Sequence, residues 1–417
     1  MRPLFYAAVI AGILGSHASR ADDVVKWLHV EVNPQQIAIW QDAARSFESK
    51  TPGTKIEPQY LENEAYKSKL TTLLQSRDKP SMFYSWAGGV LRTQAEAGVL
   101  TDLTDPLRSY VDTLTPTAVA AFSVDGRLYG VPQALTEVGF FYNKALFAKA
   151  GVDADKVKTW DQFLDMVKAL QAAGITPLSV GGADKWPLSF FWSYLSLRQG
   201  GKAGFAAAMD GRDGGFAGPD FVKAGENFQR LVALKPFQNG FLGDKHLTGF
   251  GLFADGKAAM TLAISVIYNQ QRAVAADKKG LPNEQIGWLN FPTVPGGKGL
   301  ATDTLGGIVG WVVGKGAPAA TVPFLQSFVS LDVQSKLAAA GYIIPVVKGA
   351  DAAITDPFQR RIAEELANST YHQNFYDQVL GPSVGRVVND QVSALASGSV
   401  TPQAAAKAVQ TAFEQGN

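Results

Sequence analysis

Residues 24–60 read VVKWLHVEVNPQQIAIWQDAARSFESKTPGTKIEPQY, and the order of signals in that stretch decides the class of fold. Apolar and aromatic residues from Val24 to Val32 predict a short strand. Asn33 and Pro34 then open a helix, the first as its cap and the second as a first-turn proline whose missing N–H costs nothing there. Ile37, Trp40, Ala44 and Phe47 recur at helical spacing, and Thr51-Pro52-Gly53 stops the helix before a second strand at 54–60. A strand that feeds directly into a helix and then another strand is the opening unit of an α/β sheet.

The same rhythm continues. Asn63 is placed to cap a helix carrying Tyr66, Leu70, Leu73 and Leu74, a strand is expected at 81–86, and a helix from Val90 to Ala97 ends at Gly98. Thr159 and Gln162 form a capping box for a helix with Phe163, Met166, Val167 and Leu170 on one face, ended by Gly174 and followed by a strand at 175–180. Late helices are expected at 323–340 and 401–413. No repeat period, charge block or long low-complexity linker interrupts this pattern.

At 417 residues the chain exceeds what one ordinary core organises, so two lobes are expected. Its 38 basic and 37 acidic residues leave a formal charge of +1, which offers no field for a phosphate backbone, and nucleic acid is excluded as a partner. Arg2, the apolar run Leu4 to Leu14 and the small residues Ser16, Ala18, Ser19 and Ala21 read as an export signal over residues 1–21, cut after Ala21. The run is shorter than the ~20 residues of a membrane-spanning helix. With no cysteine in the chain, there is neither a disulfide nor an anchor for a lipid, and the expectation is a free periplasmic protein rather than a lipoprotein.

Open α/β sheets bind ligands beyond the carboxyl ends of their strands. Those positions hold His29, Glu31 and Asn33 after the first strand, Glu62, Asn63 and Glu64 after the second, and Trp86, Gly88 and Gly89 after the third. Aromatic faces pack on the C–H surfaces of sugars and carboxylates accept hydroxyl hydrogen bonds, so this mixture has the chemistry of a carbohydrate site.

The chain also resembles a known family. The segments that carry the likeness include Trp86-Ala87-Gly88-Gly89, Asp125-Gly126-Arg127-Leu128-Tyr129-Gly130-Val131-Pro132, Phe141-Tyr142-Asn143-Lys144, Lys158-Thr159-Trp160-Asp161-Gln162-Phe163 and Phe253-Ala254-Asp255-Gly256-Lys257-Ala258-Ala259-Met260. In this order they resemble the carbohydrate-uptake class of extracellular solute-binding proteins, to which the periplasmic maltose-binding protein belongs. The resemblance implies two α/β lobes, 22–133 plus 309–340 and 138–305 plus 345–417, joined by crossings near 132–137, 304–310 and 339–346. It further implies a sugar held in the cleft, delivery to the permease subunits of an ATP-driven importer, a monomer, and no cofactor or metal. Ala263-Ile264-Ser265-Val266 stands where relatives carry a glycine with a nearby stacking tryptophan, and Tyr268 is the ring closest to that position. Gly88 and Gly89 replace polar residues of the maltose binder, which implies a different sugar.

Each candidate ligand residue has an alternative structural role. Trp86 and Trp186 can stack on a sugar or fill core and turn; Tyr268 and Tyr342 can stack or fill the lobe interface. Glu31, Glu62 and Asn63 can orient hydroxyls or serve as solvated loop groups and caps. Glu137 and Asp303, with Gly306 nearby, lie on crossings and can bind ligand or lock the hinge, and Arg386 can donate to a hydroxyl or pair with a carboxylate. Gly88 and His29 complete the set. His29 lacks metal-ligating companions, while His246 and His372 stand alone in the sequence.

A secreted glycoside hydrolase is the rival reading, because such enzymes also combine aromatics with carboxylate pairs. No nucleophile elbow, zincin motif or phosphate loop is present, and Gly249-Phe250-Gly251 lacks the strand and acidic partner of a dinucleotide site. A receptor of the same fold for a polyol, polyamine, metal or phosphodiester is the third reading.

Overall fold

A computed structural model describes residues 23–416; the expected export signal lies outside the described residues. The chain forms two α/β lobes built on one continuous, curled sheet. In the first lobe the parallel strands Asp23–His29, Thr54–Tyr60 and Met82–Trp86 lie side by side, with Asp23–His29 in the middle. Strand Thr304–Val313 runs antiparallel beside Met82–Trp86 and leads to strand Gly130–Asn143.

Gly130–Asn143 joins the lobes. Its first half pairs with Gly306–Val312, and its second half, Val138–Tyr142, pairs with Met260–Ile264 and also with Ile286–Leu289. Strand Thr304–Val313 divides its pairing similarly, since Thr304–Gly306 lie beside His372–Asn374. A short third strand, Ile344–Pro345, pairs with Leu135 and Ala134. Because Thr304–Val313 and Ile344–Pro345 both pair with Gly130–Asn143 at Ala134 and Leu135, the lobes meet through a small patch of sheet rather than a loose linker.

Three apolar clusters fill the molecule. One, around Trp27, Trp40, Phe83, Trp311 and Phe324, is the first lobe's core. The other two lie on opposite faces of the second lobe's sheet, around Trp160, Phe191 and Phe291 and around Phe141, Tyr268 and Trp288. Ile343, Val346, Val347, Ala350 and Ile354 pack in the first lobe's core, so the expectation that the second lobe resumes at 345 is too early. The turn after Ile344–Pro345 sends its apolar side chains back under the first sheet.

Local signals explain the elements and their edges. Asn33 Oδ1 accepts from the N–H groups of Gln35 and Gln36 at 2.9 and 3.3 Å, fixing the start of helix Pro34–Lys50. The first strand ends at His29 rather than Val32, because residues 30–33 turn to present that cap. In the next helix Glu62, not Asn63, is the cap: its Oε2 accepts from Glu64 and Ala65 at 3.0 and 3.2 Å. The Thr159/Gln162 capping box forms as expected. The single helix expected at 323–340 is two, Thr321–Phe328 and Leu331–Ala339, because Ser330 caps a new start. Gly249-Phe250-Gly251 lies inside helix His246–Ala254, not in a loop.

Candidate functional site

The loops that follow the first lobe's three parallel strands open onto a cleft between the lobes, which encloses about 1280 Å³ counting its open mouth. Six of the expected residues line this cleft: Glu31, Glu62, Asn63, Trp86, Trp186 and Tyr342. They come from both lobes and the crossing, so a ligand touching all of them would bridge the hinge.

Trp86 ends its strand half-buried, with Tyr84 and Tyr66 edge-on at ring-centroid distances of 5.1 and 5.8 Å. The Tyr66 hydroxyl donates to the Tyr84 carbonyl, which ties the helix to the strand behind the indole. Opposite, Trp186 opens helix Trp186–Met209 and packs against His246 and Phe190 at 5.2 and 5.3 Å. Lys185, at φ +63°, is the turn residue before Trp186.

The acidic groups are held for accepting. Glu31 Oε1 accepts from the N–H groups of Val32 and Asn33 at 2.9 and 2.7 Å and from Gln270 Nε2 of the other lobe at 3.4 Å. Burial raises the Glu31 carboxyl above its usual range, against the opposing pull of those two amides. Glu62 spends one oxygen on its helix cap. Among the described residues, three buried polar atoms on the cleft wall have no hydrogen-bond partner: Glu62 Oε1, Trp40 Nε1 and Trp186 Nε1. One acceptor and two donors on a shared cleft wall are what a hydroxyl-bearing molecule satisfies.

A sequence profile of the bacterial extracellular solute-binding proteins matches residues 33–330. The chain belongs to that family. A multiple sugar-binding protein of Streptococcus mutans is 24% identical over 304 residues, 70% of this chain and 69% of that protein. A structure from work on xylan utilization by the thermophilic bacterium Caldanaerobius polysaccharolyticus has a TM-score of 0.86 at 24% identity, covering 93% of this chain and 99% of the other. A chitin oligosaccharide binding protein gives 0.84 at 24% identity, covering 94% and 98%. These structural likenesses establish the two-lobed fold that solute-binding proteins share.

The remaining sequence candidates sit elsewhere in this solute-binding protein. His29 is 4% exposed, packed among Trp27, Trp40 and Tyr60 beneath the cleft, and burial lowers its pKa to about 4, so it is neutral. Tyr268 lies outside the cleft lining: its ring lies on Phe358 at 4.2 Å and its hydroxyl donates to Asp356 at 3.0 Å. Asp303 Oδ2 accepts from the Leu300 N–H at 2.7 Å, and its carbonyl accepts from buried Arg198 at 2.9 Å, a turn-locking role. A Cβ on Gly306 would stand 1.9 Å from the Thr136 carbonyl, so that glycine serves strand packing. Gly88, at φ +94°, faces Asn374 and Val379 of the second lobe. Glu137 is buried in the long crossing strand, and Arg386 lies exposed on helix Gly381–Ser397. None of these seven lines the cleft.

Other cleft residues escaped the sequence reading. His246 is not isolated: its ring Nδ1 lies 2.5 Å from Asp184 Oδ2, and its backbone N–H donates to the same oxygen at 2.7 Å. Asp184 is 62 residues away in sequence, so no local spacing could announce the pair. Trp40, Phe190 and Phe250 belong to regular helical faces and looked like core. Lys67 and Asp377 approach only through the meeting of the two lobes. Among the described residues no group of His, Asp and Glu could hold a metal, and no helix is long and apolar enough to cross a membrane.

Proposed function

We propose that this solute-binding protein is the carbohydrate receptor of an ATP-driven importer, capturing a small uncharged sugar and releasing it unaltered to membrane permease subunits. The single observation that carries the reading is the combination, in one interlobe cleft, of exposed indole surface with the unpartnered Glu62 Oε1, Trp40 Nε1 and Trp186 Nε1. Aromatic faces suit sugar C–H surfaces, and buried polar atoms require hydroxyl partners. The sugar-named relatives support the same ligand class.

Because the lining groups come from both lobes, ligand contacts are complete only when the lobes are together, and binding shifts the population toward that form. The three crossings near 132–137, 304–310 and 339–346 serve as the hinge. The closed protein is the signal that the permease recognises. Export through the amino-terminal signal, a free periplasmic location and a monomeric state complete the reading, and the protein performs no chemistry on its ligand.

The test is a panel of mono- to trisaccharides and sugar alcohols, followed by tryptophan fluorescence and thermal shift on the mature protein. Saturable responses to one or a few sugars, with no turnover of aryl glycosides, are expected. Hydrolysis of a glycoside, or indifference to the whole panel, overturns the proposal.

A further inference from the structure

Lys67 lies in the cleft between three partners. Its Nζ stands 3.2 Å from Glu64 Oε1 on its own helix, 3.9 Å from Asp377 Oδ2, and over the Trp86 ring at 5.6 Å from the centroid. Asp377 belongs to the second lobe: it lies in helix Tyr376–Val379, whose Tyr376 is in that lobe's core. Its Oδ2 is positioned by Gln378 Nε2 at 3.0 Å and Asn389 Nδ2 at 3.2 Å, and its side chain is only 9% exposed. Among the described residues, Lys67–Asp377 is the only ion pair that joins the two lobes.

An ammonium over an indole face competes with any ring that stacks there. A sugar laid on the covered face of Trp86 pushes Nζ away, and Asp377 is a fixed carboxylate already within reach. The pair is too long at 3.9 Å for a charge-assisted hydrogen bond of about 2.8 Å, so it tightens only if the lobes or the side chain move closer by roughly an ångström. Removing solvent from the cleft strengthens that attraction further.

We propose that Lys67 is a ligand-responsive latch: a sugar stacked on Trp86 displaces its ammonium toward Asp377, and the resulting interlobe ion pair retards reopening. The inference rests on the sugar-receptor reading of the same cleft. Lys67 is a positioning residue, acting on lobe closure rather than reading a particular hydroxyl. Among the described residues it also leaves the cleft lining no free Lys or Arg for an anionic sugar, because Glu64 and Asp377 neutralise it.

The test follows stopped-flow tryptophan fluorescence of the mature protein with maltose, xylobiose and N,N′-diacetylchitobiose, using whichever of them the wild type binds. Lys67→Met and Asp377→Asn are each expected to dissociate about fivefold to twentyfold faster, the double variant no faster than either single one, and Lys67→Arg near wild type. The difference from wild type shrinks at high salt, which a purely packing role would not produce. If the wild type binds a sugar but the single variants dissociate at its rate, or their effects multiply in the double variant, the latch is wrong and the receptor reading stands. If the wild type binds none of the three and none of a wider sugar panel, both fail. Unchanged melting temperatures for the variants verify that they fold.

Discussion

Replacing Glu137 with glutamine is expected to stabilise the protein at neutral and alkaline pH and leave it nearly unchanged in acid. Glu137 is 2% exposed in the crossing strand, its Oε2 without a partner, and its backbone N–H donates to Ser265 Oγ at 3.3 Å. Burial, and secondarily the Glu365 carboxylate, push its carboxyl from 4.5 up to about 8, despite the opposing Arg198 and Arg361 guanidinium groups. In the folded protein the group therefore keeps its proton at pH 7 while the unfolded chain has released it. Stability from this site falls as pH rises from about 4.5 to about 8 and is flat beyond, since both states are then ionised. At about 1.36 kcal/mol per pH unit, that interval sets a ceiling of roughly 5 kcal/mol, and local relaxation brings the realised figure to about 2. Glutamine is neutral throughout and similar in shape, so it removes the ionisation cost. Urea titrations of wild type and Glu137→Gln at pH 5, 7 and 9 measure it: the advantage of the variant is expected to grow from near zero to about 2 kcal/mol. A variant that is less stable at pH 9, or an advantage equal at pH 5 and 9, refutes a buried neutral carboxylic acid at this position.

Other substitutions probe the cleft and its surroundings. Trp86→Ala is expected to weaken sugar binding by roughly 1–3 kcal/mol in a calorimetric titration with little loss of stability; unchanged affinity removes Trp86 from the site. Tyr268→Phe loses the hydroxyl's bond to Asp356 and about 1 kcal/mol of stability, while sugar affinity stays at wild type because the ring is outside the cleft; a large loss of affinity returns Tyr268 to the site. At Gly89 a Cβ would stand 2.5 Å from the Gly381 nitrogen and 2.6 Å from the Val379 carbonyl. Gly89→Ala therefore forces the lobes apart or costs about 1–3 kcal/mol, seen as a larger radius of gyration in small-angle scattering or a lower melting temperature, and wild-type values of both contradict that contact.

Sequence by itself determined what is local. The Asn33-Pro34 start, the Thr159/Gln162 box and the apolar periodicities specify elements because a cap or an amphipathic face is satisfied within a few residues. Their alternation determined the α/β class, and the strand-end rule led to Glu31, Glu62, Asn63 and Trp86 because the cleft lies where those strands stop. Tertiary structure alone decided the rest. Glu62 became both helix cap and cleft acceptor only when one oxygen was consumed locally and the other was buried between lobes. His246 met Asp184, and Lys67 met Asp377, across separations that carry no sequence period. Tyr268 and Asp303, of the same residue types as the cleft-lining candidates, instead pack on Phe358 and bond to the Leu300 N–H. Residue type announces what a side chain can do, but which side of a wall it faces depends on how distant segments pack, and that is settled only when the two lobes close around the cleft.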